Sequence, residues 1–223
     1  MEVSIDTSTD FASIAISHRG EVEAEITWPS GQNHTVELLP NLLYLLRQAK
    51  RELEEVSAVI AAKGPGSFNG LRVGMSTAKG LAFSREIPLV GIGTLEVEAF
   101  PYALTGRPIY PVLDAARGEI ATALYQHKEG EWRQLAAEHI TTVEELRCAI
   151  SPGAIICGRL PLRLAREVER QFEGQTVIIG ATLRRAGYLA ELGWRRLQKG
   201  ETDNPATLQP LYLRRPSVTL KVK

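Results

Sequence analysis

Only two cysteines occur in the chain, and Cys148 and Cys157 show neither CxxC spacing nor a nearby histidine. A disulfide framework, a zinc ribbon and a dithiol redox site are thereby left out, and both thiols are expected to be buried. The four histidines, His18, His34, His127 and His139, include no pair at i,i+4, so HxxxH and HExxH metal sites are absent. Long apolar runs are missing as well: none approaches the ~18 residues of a spanning helix. The amino terminus, Met1-Glu2-Val3-Ser4-Ile5-Asp6, carries acids where a signal peptide is basic. A cytoplasmic chain that makes no membrane contact is expected. With 19 Gly and 12 Pro in 223 residues, neither disorder nor a collagen-like repeat fits, and 44% hydrophobic residues suffice for a core without staples.

Net charge of one sign is also lacking, since 26 basic residues balance 26 acidic ones. The balance is uneven along the chain. Residues 1 to 110 hold 9 Lys/Arg against 13 Asp/Glu, and residues 111 to 223 hold 17 against 13, giving −4 and +4. From Arg184 onward there are nine basic and three acidic residues, including Arg184-Arg185, Arg195-Arg196 and Arg214-Arg215. Such doublets suit either a solvated surface or an auxiliary nucleic-acid contact.

What is present is a pattern that occurs twice. Val3 and Ile5 lead into the turn Asp6-Thr7-Ser8-Thr9-Asp10; two alternating segments follow, Ala12, Ile14, Ile16 and then Val22, Ala24, Ile26, Trp28. Period two with one polar face predicts antiparallel hairpins. Helical spacing runs from Thr35 to about Glu52, with a kink or late start expected at Pro40. A strand over 56–62, a helix from about Leu71 to Phe83, a strand over 88–92 and a helix from Leu95 to about Tyr102 complete the first half. After Gly106-Arg107-Pro108 the order restarts: strand 109–113 ending in Asp114, strands 120–125 and 132–139, helix 143–150, strand 154–157, helix 162–172, strand 176–179 and helix 183–197. Each half reads strand, Asp turn, strand, strand, helix, strand, helix, which predicts two similar α/β lobes with mixed sheets, residues 1–104 and 105–223.

The loop Gly64-Pro65-Gly66-Ser67-Phe68-Asn69-Gly70 precedes a helix but is neither a Walker A loop nor GxGxxG, because Leu71-Arg72 follow Gly70 and the sixth position is Asn69. Ser67 or Asn69 is expected to cap the helix. Within that helix Gly70, Gly74, Ala78 and Ala82 recur every fourth residue, a stripe of small side chains that admits close approach of the chain's own sheet or of a helix from another chain. The preceding helix has a wide apolar band, Leu38, Leu39, Leu42, Leu43, Leu45 and Leu46, and any exposed remainder of it is an association surface. Ser67 lies outside any GxSxG motif and has no histidine partner, so a hydrolase triad is not expected. Asp6 and Asp114 are either ordinary turn formers or acids able to hold a metal between the lobes.

The segments Ile5-Asp6-Thr7-Ser8-Thr9, Leu38-Leu39-Pro40, Gly64 to Gly74, Ala78-Lys79-Gly80-Leu81-Ala82, Gly91-Ile92-Gly93-Thr94-Leu95-Glu96, Asp114 to Glu119 and Leu211-Tyr212-Leu213-Arg214 together resemble the TsaB (YeaZ) family, in order along the chain. Asn69 stands where that family has Thr, and both residues cap helices. The resemblance implies an actin-like, Hsp70-like (ASKHA) fold of two RNase H-like lobes. It also implies a non-catalytic subunit, without cofactor or metal, of the machinery that makes N6-threonylcarbamoyladenosine in tRNA. The partners it implies are a TsaD-like catalytic subunit, a TsaE-like ATPase, tRNA through the complex, and a possible second copy of the chain. It points to the first-lobe helices as the interface, so Leu39, Leu42, Leu43, Leu46, Gly70, Leu71, Gly74, Met75, Ala78 and Ala82 are the expected contact residues. The turns at Asp6, Thr7, Ser8 and at Asp114 become remnants of a nucleotide site, since Ser8 and Ala116 stand where active members carry glycine, and the loop residues Gly64, Gly66, Ser67 and Asn69 keep a structural role. Two alternatives of other classes are a glycoprotease-type metallopeptidase, opposed by the missing histidines, and a small-molecule kinase of the same fold, opposed by the missing glycines. A scaffold unrelated to tRNA is a third.

Overall fold

The structure is a computed structural model that describes residues 1–180 and 183–214. Ten strands form two five-stranded sheets of identical topology. In the first sheet, β1 (Glu2–Asp6) pairs antiparallel with β2 (Phe11–His18), which pairs antiparallel with β3 (Glu21–Pro29). On its other side β1 runs parallel to β4 (Ala58–Ala62), and β4 runs parallel to β5 (Leu89–Ile92). The second sheet repeats this with β6 (Ile109–Asp114), β7 (Ile120–Lys128), β8 (Glu131–Thr141), β9 (Ile155–Arg159) and β10 (Thr176–Ile179), in the order β10-β9-β6-β7-β8. The repeated order read from the sequence is thus a repeated fold.

Helix α1 (His34–Gln48) runs through Pro40 without stopping. Proline lacks the N–H that would reach the carbonyl of Val36, and Val36 is 70% exposed, so water can satisfy that oxygen. Helix α2 (Phe68–Ser84) begins three residues before its expected start, because Ser67 is its N-cap and accepts the Gly70 N–H at 3.3 Å. Together α1 and α2 cover the outer face of the first sheet, burying Leu38, Leu42, Leu45, Leu46, Ala78 and Ala82 against Val3, Ile5, Ile14 and Ile16. On the second sheet α4 (Val143–Ala149) and α5 (Leu162–Gln171) take the same place, with Val143, Leu146, Leu164 and Val168 against Val112, Ile120 and Ile156.

The two remaining helices lie between the sheets. Short α3 (Thr94–Ala99) follows β5 yet packs on β6, β7 and β9, and α6 (Ala186–Gln198) follows β10 yet packs on all five strands of the first sheet. Leu95 and Ala99 of α3 join the core of the second sheet, whereas Val97 joins Ile60, Val90, Ile92, Leu189 and Leu192. A helix surrounded on both sides has no solvated face, which is why α3 is buried at five of its six positions. Leu213 and Arg214 return to the second sheet, but α6 and the segment after it, which follow that sheet in the chain, pack on the first. Their apolar residues complete its inner face, and the closing segment straps its edge, with the Asp203 N–H donating to the Leu89 carbonyl and the Leu211 N–H to that of Lys63 at 2.6 Å.

Candidate functional site

Strand parity sets the site. Along β1, Val3 and Ile5 face α1 and α2, so Glu2, Ser4 and Asp6 face the layer between the sheets. At the end of β1 the chain turns on Asp6, whose Oδ1 accepts the Ser8 N–H at 2.9 Å and the Ser8 hydroxyl at 2.6 Å. Asp114 makes the matching turn at the end of β6, accepting the Ala116 N–H at 2.9 Å. Both acids are turn formers. Ala116 has a φ of +62°, a left-handed conformation that favours glycine.

The glycine-rich loop is docked directly on the first turn. The Ser67 N–H donates to the Ser8 carbonyl at 2.7 Å, and the Thr7 hydroxyl donates to the Gly70 carbonyl at 2.8 Å. A Cβ on Gly66 would lie 2.2 Å from the Ser8 oxygen, and one on Gly70 would lie 2.1 Å from the Thr7 oxygen. Gly64, with φ +107°, accepts the Thr94 N–H at 2.8 Å. Three N–H donors of the loop and first turn are spent inside the protein: besides that of Ser67, Ser67 Oγ takes the Gly70 N–H and Ser67 O takes that of Leu71. Ser67 supplies the cap, and Asn69 lies in the first turn with its side chain exposed. Phe68 is held by Tyr212, ring centroids 5.1 Å apart, and by the Arg72 guanidinium 3.9 Å from its centre.

Arg184 fills the space beneath Asp6. Its Nε donates to Asp6 Oδ2 at 2.5 Å, one terminal nitrogen to the Ser8 hydroxyl at 2.6 Å, and the other to Glu98 Oε2 at 3.2 Å. All three side chains of the ion-paired cluster are buried, with exposures of 7%, 3% and 6% for Arg184, Asp6 and Glu98. Burial acts to raise the Asp6 carboxyl, but the charge and hydrogen bonds of Arg184 outweigh it and hold Asp6 below the usual carboxylate range. Burial dominates at Glu98, whose carboxyl is pushed up in spite of Arg184. One guanidinium thus bridges β1 and α3 from the segment entering α6. Neither Arg184 nor Glu98 was picked out in the sequence. Glu98 had a signal: it is an acid between Val97 and Ala99 in an apolar stretch, and a buried acid requires a partner.

Between the two Asp turns a crevice of about 480 Å³ opens, lined by Ser8, Thr9, Asp10, Ser67, Asp114 and Arg159 among others. Its two free acids, Asp10 and Asp114, oppose an anion there. Of the two turn acids, Asp6 is buried and paired with Arg184, whereas Asp114 is exposed. Among the described residues no group of three His, Cys, Asp or Glu could hold an ion.

Two expectations need correction and one is narrowed. The small stripe faces inward: Gly70, Leu71, Gly74, Met75, Ala78 and Ala82 are buried in the chain itself, and a Cβ on Gly74 would lie 2.2 Å from the Thr7 hydroxyl. Leu42 and Leu46 are likewise core residues, which leaves Leu39 and Leu43, 48% and 46% exposed, as the outward part of the expected interface. With Val36 and Tyr44 they form an apolar stripe on the outer side of α1. Second, the basic carboxy-terminal region is in part ion-paired within the chain, five of its nine basic residues having a carboxylate, which fits the solvated-surface reading of the doublets. Besides Arg184, Arg185 pairs with Glu25 at 2.6 Å, Arg195 with Glu191 at 2.6 Å, Arg196 with Glu96 at 3.1 Å, and Arg214 with Glu119. Arg215 of the last doublet lies outside the described residues. Third, Cys157 is buried but Cys148 is exposed on α4.

Comparison with known proteins follows the same geometry. The family model described as TsaD, tRNA N6-adenosine threonylcarbamoyltransferase, matches residues 26–216. The chain is 35% identical over 136 residues to the tRNA threonylcarbamoyladenosine biosynthesis protein TsaB of Bacillus subtilis, an alignment covering 61% of this chain and 59% of that protein. It is 27% identical to TsaB of Haemophilus influenzae, covering 95% and 92%. Among solved structures, YeaZ from Pseudomonas aeruginosa superposes with a TM-score of 0.82 at 25% identity, covering 95% of this chain and 99% of that one. The ADPNP-bound activator of 2-hydroxyisocaproyl-CoA dehydratase from Clostridium difficile, at 10% identity and a TM-score of 0.53 over 89% and 95%, shares the fold alone. The two-sheet architecture is thus the actin-like one.

Proposed function

Because the chain belongs to the family described by the TsaD model, and within it to the TsaB/YeaZ group, we propose that it is the non-catalytic partner subunit in tRNA threonylcarbamoyladenosine biosynthesis, binding and activating a TsaD-like transferase. Involvement in that modification is what the relatives' names carry; the partner role is the finer reading. The observation that carries it is Arg184: its guanidinium is salt-bridged to Asp6 and Glu98, so the acid of the first Asp turn is paired inside the chain and not open to a cation. With Asp6 paired and the loop donors of Ser67, Gly70 and Leu71 committed, the chain retains the scaffold and gives up the chemistry. The apolar stripe Val36, Leu39, Leu43 and Tyr44 on α1 supports association, since its exposure in one chain is relieved by a partner helix or by a second copy. A TsaE-like ATPase completes the assembly, and tRNA enters through the complex in the cytoplasm. Among the described residues no helix is long and apolar enough to cross a membrane.

Reconstitution tests the reading. Added to a TsaD homologue, the other enzymes of the modification and unmodified tRNA, the chain should raise the rate of threonylcarbamoyl transfer above that of the catalytic subunit alone. The double variant Leu39→Glu/Leu43→Glu should lose both complex formation and stimulation while keeping its Tm, because both side chains are half exposed. Transfer catalysed by this chain alone, or a rate indifferent to its presence, would overturn the proposal.

A further inference from the structure

We propose that the outer face of α5 is a docking ridge for the phosphate backbone of RNA. Leu164 and Val168 anchor this helix in the core of the second sheet. At about 100° per residue, Arg163, Arg166 and Arg170 fall within about 60° of one another on the opposite side. All three are exposed. Among the described residues none of the three has an ion pair, hydrogen bond or ring contact. The contrast with the carboxy-terminal arginines is the argument: Arg184, Arg185, Arg195, Arg196 and Arg214 each have a carboxylate, whereas the α5 arginines have none although acids lie on the same helix. Glu167 is instead committed to the Gln171 side-chain amide at 3.3 Å.

Arg166 and Arg170 stand at i,i+4, a spacing at which like charges repel. Glu167, at i+4 from Arg163, and Glu169, at i+3 from Arg166, offset part of that repulsion, and a polyanion laid along the ridge would relieve the rest. Guanidinium groups suit this role because their planar forks match phosphate oxygens. Because none of the three arginines is ion-paired among the described residues, binding a phosphate breaks no internal ion pair. The α5 arginines lie on the second lobe, and the α1 stripe lies on the first.

This inference rests on the tRNA reading above, and its test separates the two. The probe is an unmodified tRNA transcript, titrated against the chain alone and against its complex with the transferase over a series of salt concentrations. Each phosphate contact contributes about 0.7–0.9 to the slope of log affinity against log salt. The triple variant Arg163→Gln/Arg166→Gln/Arg170→Gln keeps helix-forming side chains, so circular dichroism should be unchanged and the slope should become shallower by about 2 to 3. Arg195→Gln, which removes an arginine already paired with Glu191, should leave the slope as it was. An unchanged slope in the folded triple variant, or an equal change from Arg195→Gln, would overturn the ridge. Pull-down of the transferase by the triple variant reads the other proposal separately: retained pairing with a lost salt slope supports both. If neither wild type nor variant pairs with the transferase, the partner role fails and the isolated chain's titration still decides the ridge.

Discussion

Replacing Arg184 with alanine removes the only cation that reaches Asp6 and Glu98 among the described residues, and leaves two carboxylates in a layer closed by α3, α6 and β1. Removing one partner of a buried ion pair costs about 3–5 kcal/mol, because the remaining charge has neither water nor a counterion. For a chain of this size, about 2–4 °C of Tm accompany each kcal/mol, so the variant should melt about 6–20 °C below wild type at pH 7. The deficit must also depend on pH. In the wild type Asp6 is held below its unfolded value of 3.8, so its contribution is present above that value and is lost as pH falls through the folded pKa. Glu98 is raised above 4.5, so its contribution is full below 4.5 and is lost as pH rises through its folded value. Without the guanidinium, burial acts unopposed and both carboxyls move upward, so the variant regains more stability on acidification than the wild type, in which only Glu98 is raised. Thermal melts of the two proteins from pH 8 to pH 5 should show the gap narrowing towards acid, and Asp6→Asn in the variant background should recover part of the loss. A gap below about 1 kcal/mol at pH 7, or one that stays constant over this range, would refute the assignment of Arg184 as a buried bridge.

The remaining predictions concern the loop and the site. Gly74→Ala should destabilise by about 1–3 kcal/mol in urea titration, since the added carbon would meet the Thr7 hydroxyl of β1's turn; a neutral result would place the small stripe away from the sheet. Calorimetric titration of the isolated chain with ATP should show no site of unit stoichiometry in the low-micromolar range, because Arg184 pairs with Asp6 and the loop donors are spent. The α1 double variant should dissociate the partner at unchanged Tm, and the α5 triple variant should flatten the salt dependence of tRNA binding.

Much of the fold was legible because its signals are local. Period-two alternation gave β1, β2 and β3, helical spacing gave α1, and the second Asp turn at Asp114 marked the restart that became the second sheet. The N-cap at Ser67 was also readable, since a cap needs only a side-chain oxygen and the next few N–H groups. Boundaries moved where packing decided them: α6 begins at Ala186, and the three residues before it carry Arg184 into the interior.

What the sequence by itself determined is the set of elements, their order and the repeat, because residues near in the chain fix helical and strand period through backbone geometry. It also excluded HxxxH, HExxH and Walker A motifs, since those are a matter of residue type and spacing. Which face of each element meets which neighbour was decided only in three dimensions. The same leucines of α1 divide into Leu38, Leu42, Leu45 and Leu46 inside and Leu39 and Leu43 outside. The small-residue stripe of α2 is taken up by Thr7 and the core of the first sheet, and arginines near the carboxy terminus find acids up to 178 residues away. The physical reason is that burial and ion pairing depend on spatial proximity, and the exchange of α3 and α6 between the two sheets is what brings Glu98, Arg184 and Asp6 together.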